Sequence, residues 1–335
     1  MKNQQTFTDL EYNSRKRITR REKFLNTMDS IIPWDEFVEL IRPHYYKNRT
    51  GRPSNNIETM LRMYLLAGWF NLSDEGVEDA IYDSYAMRKF MGVDFEEHKV
   101  PDATTLCKFR KILTDNKIDK LFADTCNNFL EKHGYMMHGG TIVDATIITA
   151  PSSTKNTENK RDPEMKSTKK GKVYYFGAKM HAGVDAETGF IHTVVTTSAN
   201  VHDSQPALDL LRDDDEVMYG DSAYEGVEKQ ERAQQDEHFS KIAYRTNHRK
   251  PYRTNNRWEE GEGTRWHCEM EAQKSRVRYK VEYAFYVIKN IFGFRKTRYR
   301  GLNKLDTHLR MLAVSANFYM ASRSTLCKLP ISVEG

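Results

Sequence analysis

The chain has 335 residues, with 52 Lys and Arg against 47 Asp and Glu, a formal net charge of +5, 39% hydrophobic residues and 30% charged. That length suffices for two domains with a sizeable core, and the composition is that of a folded globular chain rather than a disordered one. No run of 18 apolar residues is present to span a membrane, and the polar start Met1–Asp9 is not a signal peptide. Four scattered cysteines (Cys107, Cys126, Cys268, Cys327) without a CxxC pair argue against a disulfide scaffold or a structural zinc site and fit a reducing cytoplasm. The charge is uneven: residues 241–300 carry 16 Lys and Arg against 6 Asp and Glu, a local +10 that leaves −5 for the rest. Such a cluster is either a solvated helix face or a surface for a polyanion, because clustered cations gain affinity by releasing phosphate counterions.

In chain order, residues 1–135 read as helical. The basic run Arg15–Lys23 leads into an apolar pattern at Phe24, Met28, Ile31 and Ile32, and Asn56–Phe70 repeats Ile57, Met60, Leu61, Tyr64 and Leu65 at helical spacing. Ser73 opens a short helix, and Pro101-Asp102 opens another, with Asp102 or Thr104 as its cap. This region is either a helix-turn-helix-like DNA-binding module or a plain helical bundle. The pattern changes at Gly139-Gly140. Thr141–Ile148 is a β-branched strand, apolar on both faces except at Asp144 and therefore central. Residues 151–172, with seven basic and three acidic side chains, read as a flexible basic loop, either a linker or a DNA contact. Two strands (Tyr174–Val184, Phe190–Thr197), a helix near Ser204–Leu211, a strand Val217–Gly220, a helix over about Tyr224–Gln235 and a strand Ser240–Arg245 follow. Residues 246–271 read as an irregular basic insertion, and long helices cover about Ala272–Ile291 and Lys304–Ser322. The order predicts an α/β (α+β) fold: a mixed sheet flanked by helices over 136–325, preceded by the all-helical region 1–135.

Three acids carry the chemical argument. Asp144 interrupts an apolar strand, where a lone buried carboxylate is costly unless it is paired or binds a metal. Asp221 follows Gly220 where a strand ends, a favoured place for ligands but also for an ordinary loop acid. On the long helix, at about 100° per residue, Arg278, Glu282 and Lys289 make a narrow polar line on the border of an apolar stripe. Each acid alone has a structural explanation, including an i,i+4 pair of Arg278 with Glu282. Together, one on each of two strands and one on a helix, they can hold two divalent ions about 4 Å apart, with hard oxygen ligands favouring Mg²⁺ or Mn²⁺. Lys179 reaches either a phosphate or a sheet edge, and His202 with Asp203 lies either near the metals or in a structural role. Trp258 and Trp266 either stack on a base or fill a small core. No P-loop pattern is present, so no nucleotide cofactor is expected.

At these residues the sequence resembles the DDE transposases of bacterial insertion sequences, in particular the insertion-sequence-five group, over nearly the whole chain. The resemblance rests on Ser73-Asp74-Glu75, Pro101–Thr105, Gly140–Thr146, Ala150–Asn156, Arg161–Met165, Thr168–Gly171, Gly183–Gly189, and Ala199-Asn200 with His202-Asp203. The signature Tyr, two residues, Arg, three residues, Glu, six residues, Lys is met by Arg278, Glu282 and Lys289, with Ser275 in the Tyr position. The resemblance implies an RNase H-like catalytic fold. It also implies Asp144, Asp221 and Glu282 as catalytic metal ligands and Arg278, Lys289, Ser275, Lys169, Lys170 and Lys179 as phosphate contacts. The function it implies is that of an enzyme acting as a homo-oligomer on double-stranded DNA, at terminal inverted repeats and target, with strand cleavage and transfer supported by two Mg²⁺ or Mn²⁺ ions. A catalytically inactive DNA-binding regulator and a host nuclease of the same fold are the alternatives. The helical region is expected to recognise the DNA ends and to be removable without unfolding the α/β part.

Overall fold

A computed structural model describes residues 14, 17–46, 54–93, 99–155, 157, 159–247 and 262–324, with the side chains of 262–268 excepted. Among the described residues seven helices come first: α1 (Arg20–Ile31), α2 (Trp34–Tyr45), α3 (Ile57–Trp69), α4 (Asp74–Asp83), α5 (Tyr85–Met91), α6 (Ala103–Asp115) and α7 (Ile118–Lys132). Their starts follow from the sequence. The side chains of Thr19, Asn56, Ser73 and Asp102 accept from the first free amides of α1, α3, α4 and α6, which satisfies donors a helix cannot pair internally. Of the two caps considered for α6, Asp102 is the one used, accepting from the Thr105 amide.

The sheet comprises β1 (Gly140–Thr149), β2 (Lys166–Lys170), β3 (Val173–Asp185), β4 (Ile191–Ser198), β5 (Val217–Gly220) and β6 (Ala243–Thr246). It runs in the order β2-β3-β1-β5-β6, with β4 also on β3. β1, β3 and β4 are antiparallel neighbours, while β5 and β6 run parallel to β1. The fold is thus α+β with a mixed sheet flanked by helices, in the RNase H-like arrangement. The remaining helices are α8 (Glu231–Gln235), α9 (Glu262–Tyr286), which continues as a π-helical turn over Val287–Ile291, and α10 (Leu302–Arg323).

Several elements differ from the sequence reading. The end of the expected 151–172 loop is strand β2, its lysines pairing in register with Val173–Gly177. An alternating pattern is hard to see in KSTKK because both faces of this ribbon are largely exposed. The helix expected at Ser204–Leu211 is a single 3-10 turn, Ala207–Leu210, begun after Pro206. The helix expected over Tyr224–Gln235 is split by Gly226, at φ 91°, into a turn and the short α8. Of the basic insertion 246–271, Trp258 lies outside the described residues, and Glu262 onward is already helical.

Both sheet faces are covered. Val143, Leu208, Leu210, Met218, Tyr224 and Val227 close one side. On the other, Ile142, Ile148, Met180 and Ala182 meet α9 and α10 in a core that continues into the N-terminal helices. α10 is the centre of that continuity, packing at once on β4, α7, α1, α3 and α6. Phe318 on α10 meets Phe37 of α2 edge-on at 6.0 Å, and Phe37 stacks on Phe122 of α7 at 4.2 Å. The helices and the sheet therefore share one core, which runs against the expectation that 136–335 stands folded alone. That fragment would expose the buried faces of Leu309, Leu312 and Phe318, each worth roughly 1.5–3 kcal/mol of burial. The expected outcome for a 136–335 fragment is loss of a cooperative thermal transition and strong binding of a hydrophobic dye, both measurable beside the whole chain.

Candidate active site

The two aspartates are placed by strand register. β1 pairs with β5 as Gly140↔Val217, Thr141↔Met218 and Ile142↔Tyr219. Carried one more same-face step, this register sets Asp144 level with Asp221, on strands about 4.8 Å apart. Asp144 shares its face with Ile142 and Ile148 and so points to the side covered by α9. Asp221 sits where the chain turns off β5, its Oδ1 accepting from the Ala223 amide at 2.8 Å. Gly220 before it has no substitute: a Cβ there would lie 2.9 Å from the Tyr224 side chain.

The charge environment of Asp144 is unfavourable to its ionised form. Burial pushes its carboxyl up to about 6, and the negative charges of Asp221 and Asp203 add to the shift. The Ala145 amide, donating to Oδ1 at 2.7 Å, and the Arg278 guanidinium act in the opposite direction. The same four groups, Asp144, Asp203, Asp221 and Arg278, act on the Tyr224 phenol, which burial drives well above its ordinary range. The Tyr224 hydroxyl and the Arg278 Nε are both buried without a hydrogen-bond partner. The site is an acidic pocket with excess negative charge and unsatisfied donors, which a divalent cation and a phosphate oxygen would complement.

α9 passes over β1 and β5 and carries Ser275, Arg278, Glu282 and Lys289. Arg278 donates to Asn247 Oδ1 at 3.0 Å, and Asn247 Nδ2 in turn donates to Glu271 Oε2 at 2.7 Å. Ser275 Oγ donates to the Glu271 carbonyl at 2.9 Å, so its hydroxyl is engaged by its own helix. Glu282, one turn beyond Arg278, is exposed. Among the described residues no three His, Cys, Asp or Glu side chains converge closely enough to hold a metal ion. Asp221 and Asp203 lie near enough to Asp144 for their charges to raise its carboxyl, while Glu282 stands exposed on α9 and adds nothing to that shift. Asp144 and Asp221 fit a divalent ion by charge and hardness, and Glu282 is the acid nearest in sequence to Arg278 on α9.

The lysines divide. Lys179 forms an ion pair with Asp203 at 2.8 Å and donates to the Val201 carbonyl at 2.7 Å. It is therefore committed to holding Asp203, in place of the phosphate contact expected of it, and it lies inside the sheet between β1 and β4 rather than at an edge. Lys289 donates to the Ile147 carbonyl at 2.9 Å, and burial first, then the charges of Lys170 and Arg295, lower its ammonium to about 8. Lys170 of β2, Lys289 and Arg295 thus form one cation cluster at the far end of β1. Lys169 lies exposed beside it, over the Tyr174 ring at 5.4 Å. His202 bonds with Ser204 at 2.8 Å and is exposed. Sequence reasoning missed Asn247 and Tyr224; the buried hydroxyl one turn after Asp221 is the only trace either leaves in the sequence.

With this geometry in hand, comparison with known families is informative. Residues 136–318 match the family described as Transposase DDE domain, and residues 12–112 match the one described as Transposase domain (DUF772). No solved structure matches the chain. The first match covers more than half of the chain, which belongs to the DDE transposase family. It is accordingly a transposase, of an enzyme family that cuts and transfers DNA and generally uses divalent metal. No helix among the described residues is long and apolar enough to cross a membrane.

A clustered acidic site of this kind costs stability when empty. At pH 7, Asp144→Asn removes a charge from a buried position beside two other acids and is expected to stabilise the metal-free protein by about 1–3 kcal/mol, read as a raised denaturation midpoint in EDTA. An unchanged or lowered midpoint would contradict the charge arrangement described.

Proposed function

We propose that this chain is an insertion-sequence transposase that binds the terminal inverted repeats of its element and catalyses strand cleavage and strand transfer. In this reading Asp144, Asp221 and Glu282 hold two Mg²⁺ or Mn²⁺ ions. The observation that carries it is the level placement of Asp144 and Asp221 on neighbouring parallel strands, with the buried, unpartnered Arg278 Nε facing them. When bound, divalent ions supply activation of a water or 3′-hydroxyl and stabilisation of the leaving oxygen. The protein's own groups have separable tasks. Asp144 and Asp221 stay rigid because backbone amides hold their Oδ1 atoms. Arg278, aimed by Asn247, offers Nε to a phosphate oxygen. Asp203 adds negative charge and is itself fixed by Lys179.

The cluster of Lys170, Lys289 and Arg295, extended by Lys169, supports a phosphate track leading away from the acids toward the end of β1. Ser275 contributes less, because its hydroxyl is spent on the helix backbone. The DNA is double-stranded at repeat and target, and the working form is a homo-oligomer assembled on it. A regulator without catalysis would need only the cation track, and DNA binding alone does not account for a buried Asp144 whose ionised form is disfavoured beside Asp221.

The test is cleavage of an element-end duplex in Mg²⁺. Asp144→Ala, Asp221→Ala and Glu282→Ala are each expected to lower cleavage at least 10³-fold while changing end binding less than about threefold. Cleavage retained by any of the three would remove that residue from the site. Lys289 gives an independent check. Its ammonium loses its proton near pH 8 in the free protein, so binding of end DNA is expected to weaken as pH rises from 7 to 9. Lys289→Arg would flatten this dependence, and Lys289→Gln would reduce the slope of log affinity against log salt by about 0.9, both measurable by fluorescence anisotropy.

A further inference from the structure

Among the described residues, three exposed large apolar side chains stand on one line of α9. Tyr279, Tyr283 and Tyr286 are 67%, 45% and 49% exposed, and the last two rings stack at 6.3 Å and 13°. With Arg278 as zero and about 100° per residue, they lie at about 100°, 140° and 80°, beside Glu282 at about 40°. Tyrosines of a soluble helix are usually half-buried with only the hydroxyl in water, and an exposed aromatic stripe marks a binding surface. Cations bound this one at both ends. Arg276, exposed, sits at its N-terminal end, and Arg295 bonds to Asn290 at its C-terminal end.

We propose that Tyr279, Tyr283 and Tyr286 form a stacking platform for unpaired nucleotides of the strand that enters or leaves the site beside Glu282. This rests on the DNA-cleaving reading above. Aromatic faces stack on bases only where those bases are not already paired, whereas an intact duplex presents its phosphates, which the cation track engages. The occupant is nucleic acid rather than a second copy of the chain because the stripe runs between two arginines and alongside the catalytic border of the same helix. A self-complementary seam there would bring Arg276 and Arg295 against like charges. The platform would hold frayed bases at the reacting end and so keep them from re-pairing and drawing the scissile phosphate away from Glu282.

The experiment uses the full chain in EDTA, where no cleavage occurs, with two probes: a blunt element-end duplex, and the same duplex carrying a five-nucleotide single-stranded extension with 2-aminopurine in it. The parent is expected to bind the extended probe more tightly and to quench its fluorescence. The Tyr279→Ala/Tyr283→Ala variant is expected to lose about tenfold or more on the extended probe, to lose the quenching, and to stay within about twofold on the blunt one. The Tyr279→Phe/Tyr283→Phe variant keeps both, since the ring faces remain. The proposal is overturned if the alanine variant treats the two probes as the parent does, or loses both equally. It is also overturned if the variant's only change is in sedimentation without DNA, which would make the stripe a contact between copies. A parent that binds neither probe rejects the underlying DNA reading, a result distinct from a parent that binds both without preference.

Discussion

The half-buried guanidinium of Arg212 holds together the strand ends on which the rest of the structure depends. It donates to the carbonyls of Met137 and Gly140 at the mouth of β1 and forms ion pairs with Asp185 at the end of β3 and Asp215 just before β5. Both carboxylates are almost wholly buried, and a buried pair of this kind is costly to break because either partner is left uncompensated. Thr141 and His192 complete the network, the threonine hydroxyl lying between Asp215 and the ring. The chain gains from this a fixed starting level for β1 and β5, and every later residue of the two strands inherits it. Asp144 and Asp221 stand level because their strands are pinned four residues earlier in the one case and six in the other.

This is also why the two aspartates were legible in the sequence while their surroundings were not. A separation of 77 residues carries no meaning by itself. It becomes the register offset of two parallel strands once Gly140 pairs with Val217. The signals that could be read were local: a carboxylate inside TIVDATII, an acid after VMYG, and a polar line on a long amphipathic helix. Each of these survives in the structure as the corresponding element. Asn247, Tyr224 and the Lys179–Asp203 pair were hidden because they act through contacts that no local pattern encodes. Lys179 shows the difference most clearly, since a lysine on a strand next to an acidic site invites a phosphate role until the ion pair with Asp203 is seen. Strand β2 was hidden for another reason. A short lysine-rich ribbon with both faces in solvent has no hydrophobic alternation to betray it, and only pairing with Val173–Gly177 makes it a strand.

The site sets two electrostatic demands against each other and separates them in space. Asp221 and Asp203 add to the burial that disfavours the ionised Asp144, the Arg278 guanidinium offsets part of this, and Lys179 pairs with Asp203. The cations are kept at the other end of β1, where burial lowers the Lys289 ammonium and the charges of Lys170 and Arg295 add to the shift. Cations placed among the aspartates would neutralise them, whereas here the two groups of opposite sign stand at different places along β1.

The N-terminal helices enter this picture as a support for the cationic end rather than as a detached module. Asp74, in the Ser73-Asp74-Glu75 stretch, is bonded through both oxygens to Arg110 of α6, and Arg110 lies over the Tyr299 ring at 4.8 Å. Arg298 next to it donates to the Asn71 carbonyl, and Asn71 donates to the Gly293 carbonyl. The segment so gripped, 293–299, is the one that lies along the end of β1, where the Thr149 amide donates to Arg295 and Thr149 in turn accepts from Thr297. A chain of contacts therefore runs from the starts of α4 and α6 to the backbone that positions Arg295 beside Lys289. The residues of the Ser73–Glu75 and Pro101–Thr105 stretches need not touch DNA to matter for it. Asp102 and Ser73 cap the two helices, and the Asp74–Arg110 pair lies against Tyr299 in the segment that runs along the end of β1. The packing of the helical region thus supports the segment that carries Arg295, and its core is continuous with that of the sheet.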